Sequence, residues 1–392
     1  LFIHKKKKLF STDVIYCADE SGKYYAPIYY ESLWEQYNLW NLEAKALWVK
    51  DAKSEFTTYT QFMENKLEVL MEEEDLCEEE RLIKRAVLKR FLKQETTESG
   101  CATMDLCSVN EYGSYLKPFG PDYEFPGGFS KLIEFLADKF PRNLVKLSHP
   151  VEHIGQVDDD ENPILVQCKN GSAFQTKHVV VTTSVNYLKK NYTTLFDPVL
   201  LNEPKIEAIN TIKMDTVDKI FLFYNDMSFF PANCDAIHPL FFDEPQKFCI
   251  RTDWKYKVYT FDKFYENMLM VWITGKEADY VETLPNEEIS DVLTEMLRKL
   301  LNNKNIPKPD RIFKTNWNAN PYFLGSYSYV DVNGQANKHI NNLAEPLYLN
   351  NVPRVLFAGE ATHLRYYSTV HGAYLSGQRE SRRLKDFYSS KQ

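Results

Sequence analysis

The stretch Arg354-Val-Leu-Phe-Ala-Gly-Glu-Ala-Thr-His363 carries the strongest structural signal in this 392-residue chain. Its apolar run from Val355 to Ala358 predicts a buried β-strand. The strand would end at Gly359-Glu360, where a carboxylate can accept hydrogen bonds from the ribose or ribityl hydroxyls of a nucleotide cofactor. This half of the motif therefore predicts a strand that stops at a polar site.

The residues that follow, Tyr366-Tyr-Ser-Thr-Val-His-Gly-Ala-Tyr-Leu-Ser-Gly-Gln378, predict the start of a helix rich in small side chains. Gly372, Ala373 and Gly377 would let a ligand approach the backbone closely, and a helix N-terminus favours negative charge. Strand, carboxylate and helix start together indicate a nucleotide-cofactor site. An ordinary strand–turn–helix with a surface glutamate is an equally consistent interpretation of these residues alone.

Composition places the chain among folded proteins large enough for two domains. Hydrophobic residues make up 44% of the sequence and charged residues 26%, which is ordinary for globular proteins. No window holds the roughly 20 uninterrupted apolar residues that a membrane-spanning helix requires, and no secretory signal is visible. We therefore expect no membrane association.

The seven cysteines are widely spaced and contain no Cys-x-x-Cys pair. Their odd number and their spacing favour reduced thiols in the cytoplasm over a disulfide framework or a zinc site. We identify no close ligand pair among the eight histidines, so we expect no metal. The net charge of −8 disfavours nucleic acid as a partner and is compatible with a cationic substrate.

Hydrophobic periodicity divides the chain into a helical first part and a strand-rich remainder. Residues 1–30 predict a hairpin that turns at Ser21-Gly22, and residues 31–94 predict helices with apolar residues at three- and four-residue spacings from Leu82 to Leu92. An amphipathic helix is expected after Gly128, with five apolar side chains in the core. These are Leu132, Ile133, Phe135, Leu136 and Phe140.

A β-meander is expected next, formed by residues 145–157 and 164–168 with a hairpin turn at Asn170-Gly171. Val179 to Val181 predict another buried strand. Three later elements favour an α+β layer. They are strands at Ile220 to Tyr224 and Met268 to Ile273, and a helix at Glu287 to Leu301.

The C-terminal motif resembles the flavin-binding segment of the FAD-dependent amine oxidases, and within that superfamily the spermine and acetylpolyamine oxidases. Further matching segments keep the family's order from about Glu98 to Phe387. They are Glu124-Phe-Pro-Gly-Gly-Phe-Ser130, Pro150-Val151, His178-Val-Val-Val-Thr182, Asp218-Lys-Ile-Phe-Leu222, Ile306-Pro-Lys-Pro309 and Pro321-Tyr-Phe-Leu-Gly-Ser-Tyr-Ser-Tyr329.

The resemblance implies an α/β plus α+β fold in which a Rossmann-like FAD-binding domain is interleaved with a substrate-binding domain. Residues 1–120 would form the helical part of the substrate domain, and residues 121–194 a segment of the FAD-binding domain. Residues 195–349 would form the α+β substrate-binding segment, and residues 350–392 the C-terminal FAD-binding segment. The expected topology is therefore discontinuous along the chain.

Dinucleotide binding also requires a strand, a Gly-x-Gly-x-x-Gly turn and a helix whose N-terminus holds the pyrophosphate. This spacing does not occur among the 14 glycines of the sequence. The only adjacent pair, Gly127-Gly128, follows a proline in mid-chain. The family's N-terminal fingerprint is thus missing from this sequence, and the FAD-binding domain is expected to be truncated.

Lys219 is the catalytic residue that the resemblance implies. The family's lysine at this point holds a water against flavin N5. A partly desolvated ammonium with a lowered pKa could assist flavin reoxidation or imine hydrolysis. On sequence alone, a lysine that opens an apolar strand is also typical of an edge residue whose ammonium reaches solvent.

Several residues would surround a non-covalent FAD. By resemblance, Trp317 packs beside the flavin ring and Val151 near the adenine, although ordinary core packing explains either residue equally well. The backbone of Thr369-Val370 would contact the pyrimidine end of the flavin. Gly359-Glu360, at the strand end described above, would also contact the cofactor. Ser326 replaces the cysteine that tethers the flavin of monoamine oxidases, and serine cannot form that thioether.

Substrate contacts are implied at Tyr327, Ser368, Thr369 and Glu98. Tyr327 matches one aromatic wall in front of the flavin. Thr369 replaces the second wall, which makes the channel roomier and more polar, and Ser368 lies beside it. Glu98 could pair with a distal substrate ammonium, and a solvated loop acid is an equally consistent interpretation.

Together these residues predict a monomeric oxidase of polyamines, with spermine favoured over N1-acetylpolyamines. Hydride would pass from the carbon next to nitrogen to flavin N5, and the imine would hydrolyse to an aldehyde and a shorter amine. Dioxygen would then reoxidise the flavin and yield hydrogen peroxide. The alternative is a truncated homologue without FAD. A histone-demethylase-like enzyme would need an inserted helical tower and a basic surface, and the sequence shows neither.

Overall fold

The computed structural model describes residues 4–5, 15–120, 123–124, 127–243, 245 and 247–390. Eleven α-helices, α1 to α11, lie within these ranges. In chain order they span Pro27–Val49, Tyr59–Glu73, Glu78–Ser99, Ser130–Ala137, Val185–Leu195, Glu203–Thr211, Ile250–Asp253, Gly275–Thr283, Asn286–Leu300, Ala336–Ala344 and Val370–Ser389.

Seventeen β-strands, β1 to β17, lie in the same described ranges. In chain order they span His4–Lys5, Ile15–Asp19, Tyr24–Tyr25, Tyr123–Glu124, Val151–Gln156, Ile164–Cys168, Ala173–Thr176, Val179–Val181, Lys213–Asp215, Val217–Phe223, Ala236–Leu240, Phe261–Tyr265, Met268–Thr274, Arg311–Lys314, Tyr327–Tyr329, Leu347–Leu349 and Val352–Phe357.

Helices α1, α2 and α3 form a layer with its own apolar core. Thr58 begins α2 with a capping box in which its hydroxyl accepts the Gln61 N–H, a pairing that satisfies N–H groups left unpaired by the helix. Gly100 ends α3 in the left-handed conformation. The predicted helices and the turn at Ser21-Gly22 are confirmed, although α1 begins at Pro27 rather than at residue 31 and Leu82 is exposed. Residues 1–3 and 6–14 of the predicted hairpin lie outside the described residues.

A seven-stranded sheet in the order β14-β10-β13-β12-β11-β2-β3 faces this layer. Its neighbouring strands β10 and β13 are antiparallel, from Val217 opposite Thr274 to Phe223 opposite Met268. Helix α9 buries Ile289, Leu293 and Leu297 in the apolar core of this sheet. The two strands and the helix predicted here are confirmed.

Two small sheets share the third core. Strands β5, β6 and β7 form the predicted meander, which begins at Val151 rather than at residue 145. Strands β16, β17 and β8 form the other sheet, with β17 parallel to β8. Val180 in β8 is 41% exposed, so the prediction of a wholly buried strand is wrong, because one face of β8 is open to solvent in the described structure.

Helix α4 forms as predicted, but its expected core positions are wrong. Ile133, Phe135 and Phe140 are 63%, 49% and 58% exposed, and α4 has no buried residue. Amphipathic spacing predicts an apolar face but not what covers it, and no described element buries this one. The preceding Phe125-Pro126 of the family motif lies outside the described residues.

The predicted boundary between two domain segments, at residues 194–195, does not separate two apolar cores. Phe196 and Ile209 pack in the third core together with Leu343 and Phe357. Parts of the predicted substrate segment therefore support the C-terminal strand β17. The division of the chain into four domain segments remains a proposal.

None of the described helices is long and apolar enough to cross a membrane. In the described part of the chain, no group of three or more His, Cys, Asp or Glu side chains could hold a metal ion. The seven cysteines are free thiols, and five of them are buried.

Candidate active site

A cavity of about 420 Å³ lies where the helical layer meets the seven-stranded sheet. Helix α3 forms one wall, and residues of β11, β12 and β13 form another. Strand β15 and the loop before α11 complete the lining through Tyr329 and residues 367–369. The cavity therefore joins the helical layer, the large sheet and the C-terminal motif.

Helix α3 presents a polar stripe to this cavity. Arg90, Gln94 and Glu98 follow one another at four-residue spacing, so they lie on one face of the helix. Arg90 Nη1 donates to Gln94 Oε1 at 2.5 Å, and Gln94 Nε2 donates to Glu98 Oε1 at 3.4 Å. Arg90 and Gln94 are buried, whereas Glu98 is exposed where it meets the cavity.

Glu95 places a second carboxyl group at the cavity, held by tyrosines. Tyr112 donates to Glu95 Oε1 at 2.5 Å, Tyr37 donates to Oε2 at 3.2 Å, and Tyr59 donates to the Tyr37 hydroxyl at 3.1 Å. Burial and the neighbouring Glu98 raise the pKa of Glu95 to about 7, against the lowering effect of these hydrogen bonds. The carboxyl thus changes charge near neutral pH.

The loop before α11 is fixed by hydrogen bonds to its own backbone and to Glu360. Thr369 caps the helix, because its hydroxyl accepts the Gly372 N–H at 3.0 Å and donates to Tyr366 O at 2.7 Å. Ser368 has a positive φ of 64°, and its N–H donates to Glu360 Oε2 at 2.6 Å. Ser368 and Thr369 both line the cavity.

The end of β17 fits one end of a flavin nucleotide. Gly359 has φ +121°, and an added Cβ would meet only Thr182 O, at 3.9 Å, so a ligand could approach the backbone there. Glu360 Oε2 accepts from Ser328 Oγ at 2.6 Å as well as from Ser368, and burial raises the pKa of this carboxyl. Val370, in the first turn of α11, is 49% exposed, and N–H groups of a first turn lack helical partners.

Lys219 lies next to the cavity wall. It pairs with Trp272 across strands β10 and β13, and its Nζ lies 4.4 Å from the centre of the Trp272 ring. Trp272 lines the cavity. Lys219 is thus held against an aromatic face of the site, rather than at the edge of the sheet.

Tyr327, Trp317 and Val151 do not line the cavity, and neither do Lys219, Gly359, Glu360 and Val370. Tyr327 packs its ring on Gly100 and donates its hydroxyl to Thr97 O. Trp317 is 40% exposed, and its ring packs edge-on against that of Phe323 with the ring centres 5.5 Å apart. Val151 begins β5 and packs against the third core.

Several cavity residues were not predicted from the sequence. Arg90, Gln94 and Glu95 were missed, because they lie in a helix that was predicted from its apolar periodicity. Charged residues recur along the whole of this helix, so residue type alone did not separate Arg90 and Glu95 from exposed residues such as Lys89. His238 and Trp272 lie in apolar strands, where their types alone carry no signal for a site.

A family of known proteins and several individual proteins match this chain. Residues 54–385 match the family described as flavin containing amine oxidoreductase. The chain is 35% identical over 326 residues to a peroxisomal N(1)-acetyl-spermine/spermidine oxidase of Bos taurus, with 78% of this chain and 63% of the relative covered. The Homo sapiens protein of the same name is 34% identical, with 80% and 64% covered.

Solved structures share the fold at low sequence identity. A redesigned putrescine oxidase aligns with a TM-score of 0.68 at 14% identity, covering 98% of this chain and 82% of its own. Cyclohexylamine oxidase from Brevibacterium oxydans IH-35A aligns with a TM-score of 0.60 at 17% identity, covering 82% and 68%. The two-domain amine oxidase fold is therefore confirmed.

The chain spans less than two thirds of the length of the two mammalian relatives, 63% and 64%. The family match nevertheless covers most of the chain and includes Lys219, the C-terminal motif and every cavity-lining residue except Lys45. The chain therefore belongs to the family of flavin-containing amine oxidoreductases, with FAD as its cofactor.

Proposed function

We propose that the protein is an FAD-dependent oxidase of polyamines, with dioxygen as the electron acceptor. The observation that carries this proposal is the cavity, in which the carboxyl groups of Glu95 and Glu98 lie on the same helix that faces Ser368 and Thr369. Carboxylates attract the ammonium groups of a polyamine. In a member of an amine-oxidising family, such a cavity is suited to a cationic amine chain.

The proposed role of each site residue follows from its position at the cavity. Glu98 would hold an ammonium where the cavity is open to solvent, and Glu95 would add negative charge deeper in the wall. Lys219 would act beside Trp272 as the group that positions a water or moves a proton. When bound, FAD would supply hydride acceptance from the carbon next to the amine nitrogen.

Ser326 supports the proposal that FAD is held without a covalent bond. Its hydroxyl donates to Val217 O at 3.0 Å and accepts the Val217 N–H at 2.8 Å. The side chain thus joins two backbone segments, and a hydroxyl cannot form the thioether that a cysteine forms.

The preferred polyamine is a finer part of the proposal. The sequence motifs favour spermine, whereas the two mammalian relatives are named for N1-acetylated polyamines. A monomeric state and a cytoplasmic location remain predictions from the sequence, and both relatives are named as peroxisomal.

A peroxide-coupled assay on the purified, FAD-reconstituted protein tests the proposal with spermine, spermidine and N1-acetylspermine. We expect peroxide with at least one of them, and about a tenfold lower kcat/KM or more for Glu98→Gln. Glu266→Gln is the matched control, because the Glu266 side chain is 97% exposed and does not line the cavity. A protein that takes up no FAD would instead support the truncated, cofactor-free alternative.

A further inference from the structure

We propose that Asp218 and Glu282 share a single proton, and that this carboxyl pair positions the segment of residues 315–319 beside the cofactor site. The segment contains Trp317, which the resemblance implies to lie next to the flavin ring, and its first residue is hydrogen-bonded to the backbone of Lys219. The inference rests on the proposed oxidase function, because it names further positioning residues for the same site.

Asp218 is a buried acid with one oxygen that lacks a donor. It lies in β10 and is 1% exposed. Its Oδ1 accepts the Thr315 hydroxyl at 2.6 Å, whereas its buried Oδ2 has no hydrogen-bond partner among the described residues. An ionised carboxylate with an unpaired buried oxygen is destabilising. A proton on Oδ2 removes this penalty where an acceptor for it lies nearby.

Glu282, near the end of α8, is that acceptor. Its side chain is a hydrogen-bonding neighbour of the Asp218 carboxyl, and two carboxyl groups can hydrogen-bond only when one of them carries a proton. Glu282 already accepts the backbone N–H of Asn318 on Oε1 at 2.8 Å and that of Ala319 on Oε2 at 2.7 Å. Because both of its oxygens accept, Glu282 is the acceptor of the pair and Asp218 carries the proton.

The other charged groups around the pair do not replace this proton. Lys314 Nζ, in β14, donates to three backbone carbonyl oxygens of residues 281–284 at 2.6 to 2.8 Å, which occupies the three donors of an ammonium. Asp279, also in α8, adds negative charge beside Glu282. The Lys219 side chain lies on the opposite face of β10, because successive side chains of a strand alternate.

The pair holds the segment at both of its ends. Thr315 joins it to β10, since the Thr315 hydroxyl donates to Asp218 and accepts the Lys219 N–H at 2.9 Å. The Thr315 N–H donates to Lys219 O at 3.0 Å. At the other end, Glu282 holds the N–H groups of residues 318 and 319. Trp317 lies between these anchors, so release of the pair would loosen Trp317 and the backbone contact of Lys219 together.

The sign of the pH dependence follows from the charge of Asp218. Burial is the main cause that raises its pKa to about 7; the Thr315 hydrogen bond opposes this rise, and Glu282 adds to it. The stability that Asp218 contributes is therefore fully present below the usual aspartate range and is lost as pH rises through about 7. Above that pH both carboxyl groups are charged, and they repel each other.

Asp218→Asn tests the inference, because the asparagine amide can donate to Glu282 and accept from Thr315 at every pH. Hydrogen exchange of residues 315–319 is measured by mass spectrometry in the full chain, with and without added FAD, and is corrected for the intrinsic pH dependence of amide exchange. In wild type, protection should fall about tenfold between about pH 6 and about pH 8. In Asp218→Asn it should stay constant.

Asp158→Asn is the matched control, because Asp158 is exposed in the turn between β5 and β6, and it should behave like wild type. Residues 164–168 of β6 serve as the internal reference in wild type, so the test does not depend on the folding of a variant. An equal fall of protection in Asp218→Asn would overturn the inference, as would wild-type protection that does not fall relative to β6.

The fluorescence of bound FAD gives a signature of the positioning role. An indole close to a flavin ring quenches its fluorescence, so the fluorescence should rise over the same pH interval in wild type and stay constant in Asp218→Asn. The same response in both proteins, or none in wild type, would exclude this role. Neither measurement needs turnover. A chain that binds no FAD or oxidises no amine contradicts the proposed function, and the exchange measurement still decides the inference.

Discussion

The buried carboxyl of Glu95 is the residue whose protonation most directly affects the site. Its raised pKa means that the folded protein retains this proton from the usual glutamate range up to about 7. The stability that Glu95 contributes is therefore greatest at low pH and declines as pH rises through this interval. Above it, the carboxylate adds negative charge to the cavity wall.

Activity should consequently rise with pH near neutrality. We expect kcat/KM for a polyamine to increase as pH passes through about 7, because the ionised carboxylate attracts the ammonium chain. Glu95→Gln should weaken this dependence, and Glu266→Gln should leave it unchanged. A pH profile of kcat/KM for the three proteins gives the answer, and an identical rise in Glu95→Gln would refute the assignment.

Lys219 can be tested by removal of its ammonium. Lys219→Met retains a long apolar side chain beside Trp272 and should slow turnover by about 100-fold. Lys177→Met, on the surface with Glu161 as its ion-pair partner, is the control and should behave like wild type. Stopped-flow measurement of flavin reduction and reoxidation locates the affected step. Unchanged rates would exclude Lys219 from the mechanism.

Part of the site was predictable from individual residues, and part was not. Glu98, Ser368 and Thr369 were identified through resemblance, and all three line the cavity. Arg90 and Glu95 were missed, because helical periodicity draws attention to apolar residues. Their importance arises from burial and from partners far away in the sequence, such as His238 for Arg90. The amino-acid sequence alone shows neither.

At the scale of elements, the contact between α3 and β15 positions the cavity wall. Gly100 ends α3 with φ +78°, and a Cβ added there would lie 2.5 Å from the Tyr327 ring. Any other residue would therefore be strained in the backbone and would also displace Tyr327. The close approach of helix and strand depends on this glycine.

Gly100→Ala should lower the free energy of unfolding by more than ~2 kcal/mol, through overpacking added to backbone strain. Gly171→Ala is a matched control, since Gly171 has φ +85° but open space around its Cβ position, so it should cost only about 1 kcal/mol. Urea unfolding of both variants measures the difference. An equal loss of unfolding free energy in the two variants would show that the contact between Gly100 and Tyr327 is not tight.

Secondary-structure elements were predicted well where two sequence signals indicated the same element. The apolar run before Gly359 gave β17, and the small residues after Thr369 gave the start of α11, because local propensity and the turn agree there. Helix α4 had only amphipathic spacing as its signal. Its helical structure was predicted correctly, but the burial of its apolar face was not, because burial is decided by elements elsewhere in the chain.

At the scale of the whole molecule, three apolar cores support one cavity, and α4 packs in none of them. Ile133→Ala should change the free energy of unfolding by less than about 0.5 kcal/mol. The same change at Ile340, which is 2% exposed in α10, should cost about 2–5 kcal/mol. Comparable costs at the two positions in urea unfolding would show that the α4 face is covered in solution.

We propose that this protein oxidises polyamines with FAD. The most direct measurement is the visible absorbance of the FAD-reconstituted protein under anaerobic conditions, before and after addition of spermine or N1-acetylspermine. We expect loss of the oxidised flavin band with at least one of these amines, and its return when oxygen is admitted. A bound flavin whose absorbance is unchanged by either amine would contradict it.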